Sequence, residues 1–186
     1  MSLVELIARA DERGLAVSGL ACLDRCVPLL GGGDEVLRPL WASLAQAAPA
    51  GDWAQRLEQA RGTLDAAADG ADEAVALAHR MLAGAPAERS AAGLREWADD
   101  CSVAALRIHR LLDGAAEDDS GLADARRDGR PDGLSPLLAA ELRRQLTVLE
   151  LLAAHGPGGL RGALEVSTEG RRVLRAAVSR RSRRDT

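Results

Sequence analysis

The chain has to build its interior almost without aromatic rings. Phe and Tyr are absent, and three Trp are the whole aromatic complement of 186 residues. The bulky apolar residues are mostly Leu and Val set among many Ala, so core area has to come from helices that approach closely over Ala-lined faces. Ala, Leu, Arg, Glu and Gln head the order of helix propensity, and the residues that favour strands are scarce. Lys and Asn are missing as well. All four absent residues have AT-rich codons, which points to a GC-rich bacterial genome. The chemical consequence is a loss of tools: there is no lysine for a Schiff base or a phosphate loop, and of Phe, Tyr and Trp only three Trp remain to stack on a nucleic-acid base.

Periodicity and capping signals predict an all-α fold, a single antiparallel helical bundle of about seven to eight helices spanning residues 1–186. Ser2 and Glu5 form a capping box that opens a helix to about Ala10. A second helix, about Gly14 to Leu30, carries Ala16, Leu20, Leu23, Cys26, Val27 and Leu30 at three- and four-residue steps. Pro28 falls in its last turn and Gly31-Gly32-Gly33 ends it. A third follows Asp34 and covers Leu40, Trp41 and Leu44. A fourth is expected from Asp52, capped with Gln55, with Trp53, Leu57, Ala60, Leu64 and Ala67 inward. Gly70 separates it from a fifth, about Asp72 to Leu82. The sixth, about Ser90 to Leu112, has the clearest apolar stripe: Leu94, Trp97, Cys101, Ala104, Ile108 and Leu111.

From Gly114 to Gly133 the periodicity vanishes and Leu122 is the one large apolar residue. Too little area is available there to offset ordering, so a mobile acidic loop is expected over 114–133. Ser135-Pro136 reopens helix as N-cap and first helical residue. That helix runs to about Ala154 with apolar residues on two sides, as suits a helix touching several neighbours. The His155–Gly159 turn follows, then a last helix from about Thr168 to Arg180, with 180–186 a frayed Arg-rich tail.

The candidate chemistries each meet a missing element. Cys22, Cys26 and Cys101 lack the paired spacing of a thiolate metal site, and Cys26 and Cys101 fall on apolar stripes, where free Cys acts as a small hydrophobe. His79, His109 and His155 are scattered and form no H-x-x-x-H, H-E-x-x-H or E-x-x-H. The glycine runs at Gly31 and Gly156 follow helices, not strands, and read as C-caps. Asp99-Asp100 diverge by about 100° on a helix, and Asp118-Asp119 lack calcium-loop spacing. No serine has a nucleophile-elbow context. No catalytic residue, metal ligand or cofactor is therefore expected.

One local signal remains. Arg171, Arg172, Arg175, Arg180, Arg181, Arg183 and Arg184 lie within fourteen positions of a chain whose net charge is −4. They are candidate contacts for nucleic-acid phosphates or acidic lipid, though no aromatic residue is interleaved for stacking, and they can equally dock on the acidic body. Trp41, Trp53 and Trp97 are candidate interface anchors by residue type, with core packing as the competing role. No apolar run reaches membrane-span length, and no signal peptide is seen at the N-terminus, so a cytoplasmic protein is expected. The functional expectation is a non-enzymatic interaction or regulatory module that takes an unknown protein partner or a second copy of itself. The alternatives are anion binding through the C-terminal arginines, and a small-molecule pocket between helices lined by Leu, Trp and one His or Arg.

Overall fold

The computed structural model describes residues 1–49, 51–64, 72–114 and 119–186, for 119 and 120 the backbone alone. Among the described residues every regular element is helical: α1 (Leu3–Arg9), α2 (Glu12–Cys26), α3 (Arg38–Ser43), α4 (Asp52–Leu64), α5 (Glu73–Gly84), α6 (Ala91–Asp113), α7 (Asp119–Asp128), α8 (Pro136–His155) and α9 (Leu160–Arg184). Apart from α7, these are the segments the sequence marks as helical.

Local chemistry sets most of their starts. Ser2 N–H donates to Glu5 Oε2 at 2.8 Å and Glu5 N–H donates to Ser2 Oγ at 3.3 Å, closing the capping box. Asp11, Asp72, Ser90 and Ser135 each accept from a backbone N–H in the first turn of the helix that follows. Asp52 does not cap: it is already the first residue of α4 and pairs with Arg56 one turn on, at 3.6 Å. Pro28, which has no N–H to donate, turns the end of the second helix into a 3₁₀ turn over Val27–Leu30, and Gly31 stops it in the left-handed region at φ 70°.

Two expectations are corrected. The segment 114–133 is not an aperiodic loop, because Asp119–Asp128 is helical. Leu122 and Ala125, one turn apart, are buried, and α7 packs on α1. An apolar stripe of two residues is too short to register as a period, yet it suffices once a neighbour covers it. The last helix begins at Leu160 rather than Thr168 and continues to Arg184 rather than fraying from Arg180. Its glycines, which read locally as breakers, are sites of close approach. A Cβ on Gly159 would meet Leu151 O at 2.4 Å, and one on Gly170 would meet Arg25 Cδ at 2.3 Å. Ala67, Gly70 and Asp118 lie outside the described residues.

The buried apolar side chains form one continuous cluster. Its axis is α2, in which every residue from Gly14 to Cys26 is buried. It packs against α6, α8 and α9, and α8 in turn touches α1, α6 and α9. Close approach is again made by a glycine, since a Cβ on Gly19 would sit 2.5 Å from the Trp97 ring. Trp97 meets Trp53 edge-on with ring centroids 6.0 Å apart. Their indole N–H groups donate to Met81 O and Pro86 O at 2.9 and 2.8 Å, as buried indoles require.

Candidate functional site

A helix buried on every side can hold a charge only if its neighbours neutralise it. α2 holds two, Asp24 and Arg25, at 1% and 0% exposure. Arg25 is met by Glu141 of α8 in a two-pronged pair: Nη2 donates to Oε1 at 2.7 Å and Nε to Oε2 at 2.9 Å. Gln145, one turn along α8, donates Nε2 to Glu141 Oε1 at 2.9 Å and to Ser102 O at 3.3 Å. Ser102 Oγ donates back to Gln145 Oε1 at 2.6 Å and accepts from Arg126 Nε at 3.1 Å. Arg126 also bonds Asp99, whose side chain is half exposed. The row therefore runs from the centre of the bundle to its surface under α7.

His109 closes the row on the α6 side. Its Nδ1 lies 2.7 Å from Ala105 O, a pure acceptor, so Nδ1 carries the proton. In the neutral ring Nε2 is then a lone pair, and it faces Glu141 Oε2 at 3.5 Å. Burial lowers the His109 pKa, against the pull of Glu141. Burial alone would raise the Glu141 carboxyl, but the Arg25 guanidinium outweighs it and brings the pKa down to about 2. Burial pushes the Cys22 thiol up to about 12 and those of Cys26 and Cys101 well above their ordinary value. All three are buried free thiols with no thiolate character at neutral pH. The row thus holds an ionised acid, a neutral imidazole and protonated thiols. Among the described residues no group of three or more His, Cys, Asp or Glu is placed to hold a metal ion.

A second arm starts from Asp24 and organises the C-terminal arginines. Arg171 of α9 is itself buried and donates Nη1 to Asp24 Oδ1 at 2.5 Å, with Nε 3.5 Å from Asp34 Oδ1. Burial raises the Asp24 pKa despite that partner. The hydrogen bond from Arg175 holds Asp34 below the usual carboxylate range. Arg181 reaches Asp72, the cap of α5, at 3.2 Å. Arg171, Arg175 and Arg181 are thus ties between α9 and the body. Arg172 is exposed within electrostatic reach of Asp34. Arg180, Arg183 and Arg184 are exposed and make no ion pair among the described residues.

The other candidates fall into place as packing. Trp41, Trp53 and Trp97 are buried to 2–3% exposure and offer little surface to a partner in this conformation. Gly31 and Gly156 occupy helix C-caps with positive φ. What sequence reading did not single out is the pairing of Asp24 and Arg25 with Arg171 and Glu141. A signal existed: the uncharged run Leu15–Leu23 is apolar all round, so charged residues next to it in the same helix need buried partners.

On the outside, Val103 of α6 is an exposed large apolar residue flanked by two grooves. One, about 380 Å³ between α5 and α6, has Leu77, Met81, Trp97, Ala104 and Val103 among its lining residues, with Arg80, Asp100 and Arg107 as the charged ones. The other, about 240 Å³ between α6 and α7, is lined by Leu106, Leu122, Ala123 and Arg126, again with Val103. No described helix is long and apolar enough to cross a membrane. Comparison with known proteins returns no matching family, no matching curated protein and no matching solved structure.

Proposed function

We propose that the chain is a non-enzymatic helical interaction module that takes an amphipathic helix of a partner protein on the α6 face around Val103. The observation that carries this reading is the exposed Val103 side chain with an apolar groove on each side of it. A helix laid along such a ridge places residues at i and i+3 or i+4 into successive grooves. The rim of the larger groove carries both signs, Arg80 and Asp100, both exposed, so an incoming helix with an acidic residue set against Arg80 is favoured. The interior is consistent with this reading: Arg25 and Glu141 are paired with each other and the buried thiols stay protonated.

A photo-reactive side chain installed at position 103, compared with one at the exposed Arg161 of α9, tests the proposal in the producing cell. A discrete protein adduct from position 103 alone, lost on Arg80→Glu, is expected. No adduct from position 103, or the same adducts from both positions, contradicts the reading. Val103→Asp, at a residue 37% exposed, should abolish the complex while changing unfolding stability by less than about 1 kcal/mol.

A further inference from the structure

From Arg171 to Arg184 the chain carries seven arginines and no acidic residue. The fold uses three of them. Arg171 bonds Asp24, Arg175 bonds Asp34 and Arg181 lies 3.2 Å from Asp72, so α9 is held to the body. Arg172, Arg180 and Arg183 are left over. With Ala176 they follow one another at steps of four, four and three residues, which sets them on one stripe of the helix. All four are exposed, while Leu174 and Ala177 on the other side of α9 are buried. The stripe is about 17 Å long, at 1.5 Å per residue. Arg184 flanks it toward the end of α6, where a Cβ on Gly114 would lie 4.0 Å from its Nη1. The carboxylates near the stripe are few. Asp34 lies within electrostatic reach of Arg172 but is bonded by Arg175. Glu169 is 3.8 Å from Arg144, and Asp185 ends the helix. The helix dipole favours cations in the last turn, which accounts for Arg183 and Arg184 but not for Arg172, about three turns earlier.

We propose that this stripe is a docking surface for double-stranded nucleic acid, held through its phosphate backbone without reading of sequence. Arg172, Arg180 and Arg183 make no ion pair among the described residues, and a guanidinium fork matches phosphate oxygens. A duplex carries one charge for about every 1.7 Å of its axis, so several phosphates fall within the length of the stripe whatever the bases. The exposed residues between the arginines are Ala176 and Ser179. They are short enough for a backbone to approach, and they offer no ring for an unpaired base, which disfavours a single strand. They also give an acidic bilayer no large apolar side chain to take up, since Val173 and Val178 pack against the core. The rest of a chain whose net charge is −4 repels a polyanion, which confines the contact to this face. The surface is separate from the α6 face, because no α9 residue lines the grooves at Val103.

Fluorescence anisotropy of short labelled DNA and RNA duplexes, titrated with the full chain, tests the assignment and tells the two sources apart. Saturable binding to at least one duplex is expected, weakening about 40-fold between about 50 and 200 mM salt as three phosphates are neutralised. Arg172→Gln/Arg180→Gln/Arg183→Gln should abolish it and leave the thermal unfolding midpoint unchanged. A charge-matched variant, Arg9→Gln/Arg95→Gln/Arg127→Gln, at exposed residues of α1, α6 and α7, should retain it. No saturable binding at the lower salt, binding that survives the α9 substitutions, or equal loss in both variants overturns the proposal. So does tighter binding to vesicles of phosphatidylserine and phosphatidylcholine than to either duplex.

Discussion

Glu141 carries its charge in a place where a lone carboxylate would keep its proton. Burial favours the neutral acid, and the Arg25 guanidinium reverses that preference, leaving the folded-state pKa at about 2 against an ordinary 4.5. A depressed acid pKa gives stability that is complete above the unfolded value and disappears as pH falls from 4.5 toward 2. His109 acts in the same direction at higher pH. Its folded pKa lies below the ordinary 6.5, so the unfolded chain takes up a proton that the folded one refuses. Stability is therefore lost as pH drops through 6.5. Asp24, raised by burial, works the opposite way. Urea midpoints measured from pH 8 to pH 3 should fall in two stages, the first below about pH 6.5 and the second below about pH 4.5. His109→Leu should remove the first stage and keep the second. An unchanged profile in that variant would show that His109 is not the group responsible.

Among the helices, those with a capping residue and a sustained stripe are legible in the sequence: α1, α5, α6 and α8 begin where Ser2, Asp72, Ser90 and Ser135 place them. α7 and the first half of α9 are not, because their order comes from contacts distant in sequence. α7 needs α1 beneath Leu122 and Ala125, and α9 needs Arg25 and Leu151 beside Gly170 and Gly159. Glycine substitutions separate local from tertiary control. Gly62 is an exposed residue of α4 with nothing within 4 Å of an added Cβ. Gly62→Ala should follow propensity and stabilise by about 0.5–1 kcal/mol. Gly170→Ala presses on an arginine that Glu141 pins in place, and should destabilise by about 1–3 kcal/mol. Chemical denaturation of the two variants reads both signs, and stabilisation by Gly170→Ala would contradict the close approach of α9 to Arg25.

For the molecule as a whole, composition and periodicity were enough to reveal an all-helical bundle, and the core positions of Trp53, Leu57, Trp97 and Cys101 followed from their stripes. The polar interior was not legible, for a physical reason: an Arg or Glu that faces a partner 116 positions away looks in sequence like one that faces water. The arginine cluster divides on the same principle, with Arg171 turned into the bundle while Arg180, Arg183 and Arg184 remain at its surface. Removing residues 171–186 would therefore take away an internal tie to Asp24 along with the surface charge. In this account the buried row, with the Asp24–Arg171 arm, holds α2, α6, α8 and α9 in register, and recognition belongs to the exterior. A double-substitution cycle on the Arg25–Glu141 pair tests that assignment most directly. Arg25→Met and Glu141→Leu should each cost about 3–5 kcal/mol in unfolding free energy, because each strands a buried charge. The double variant should recover most of the loss, with a coupling above about 2 kcal/mol. Single variants close to wild type, or losses that simply add, would contradict an ionised pair at the centre of the fold.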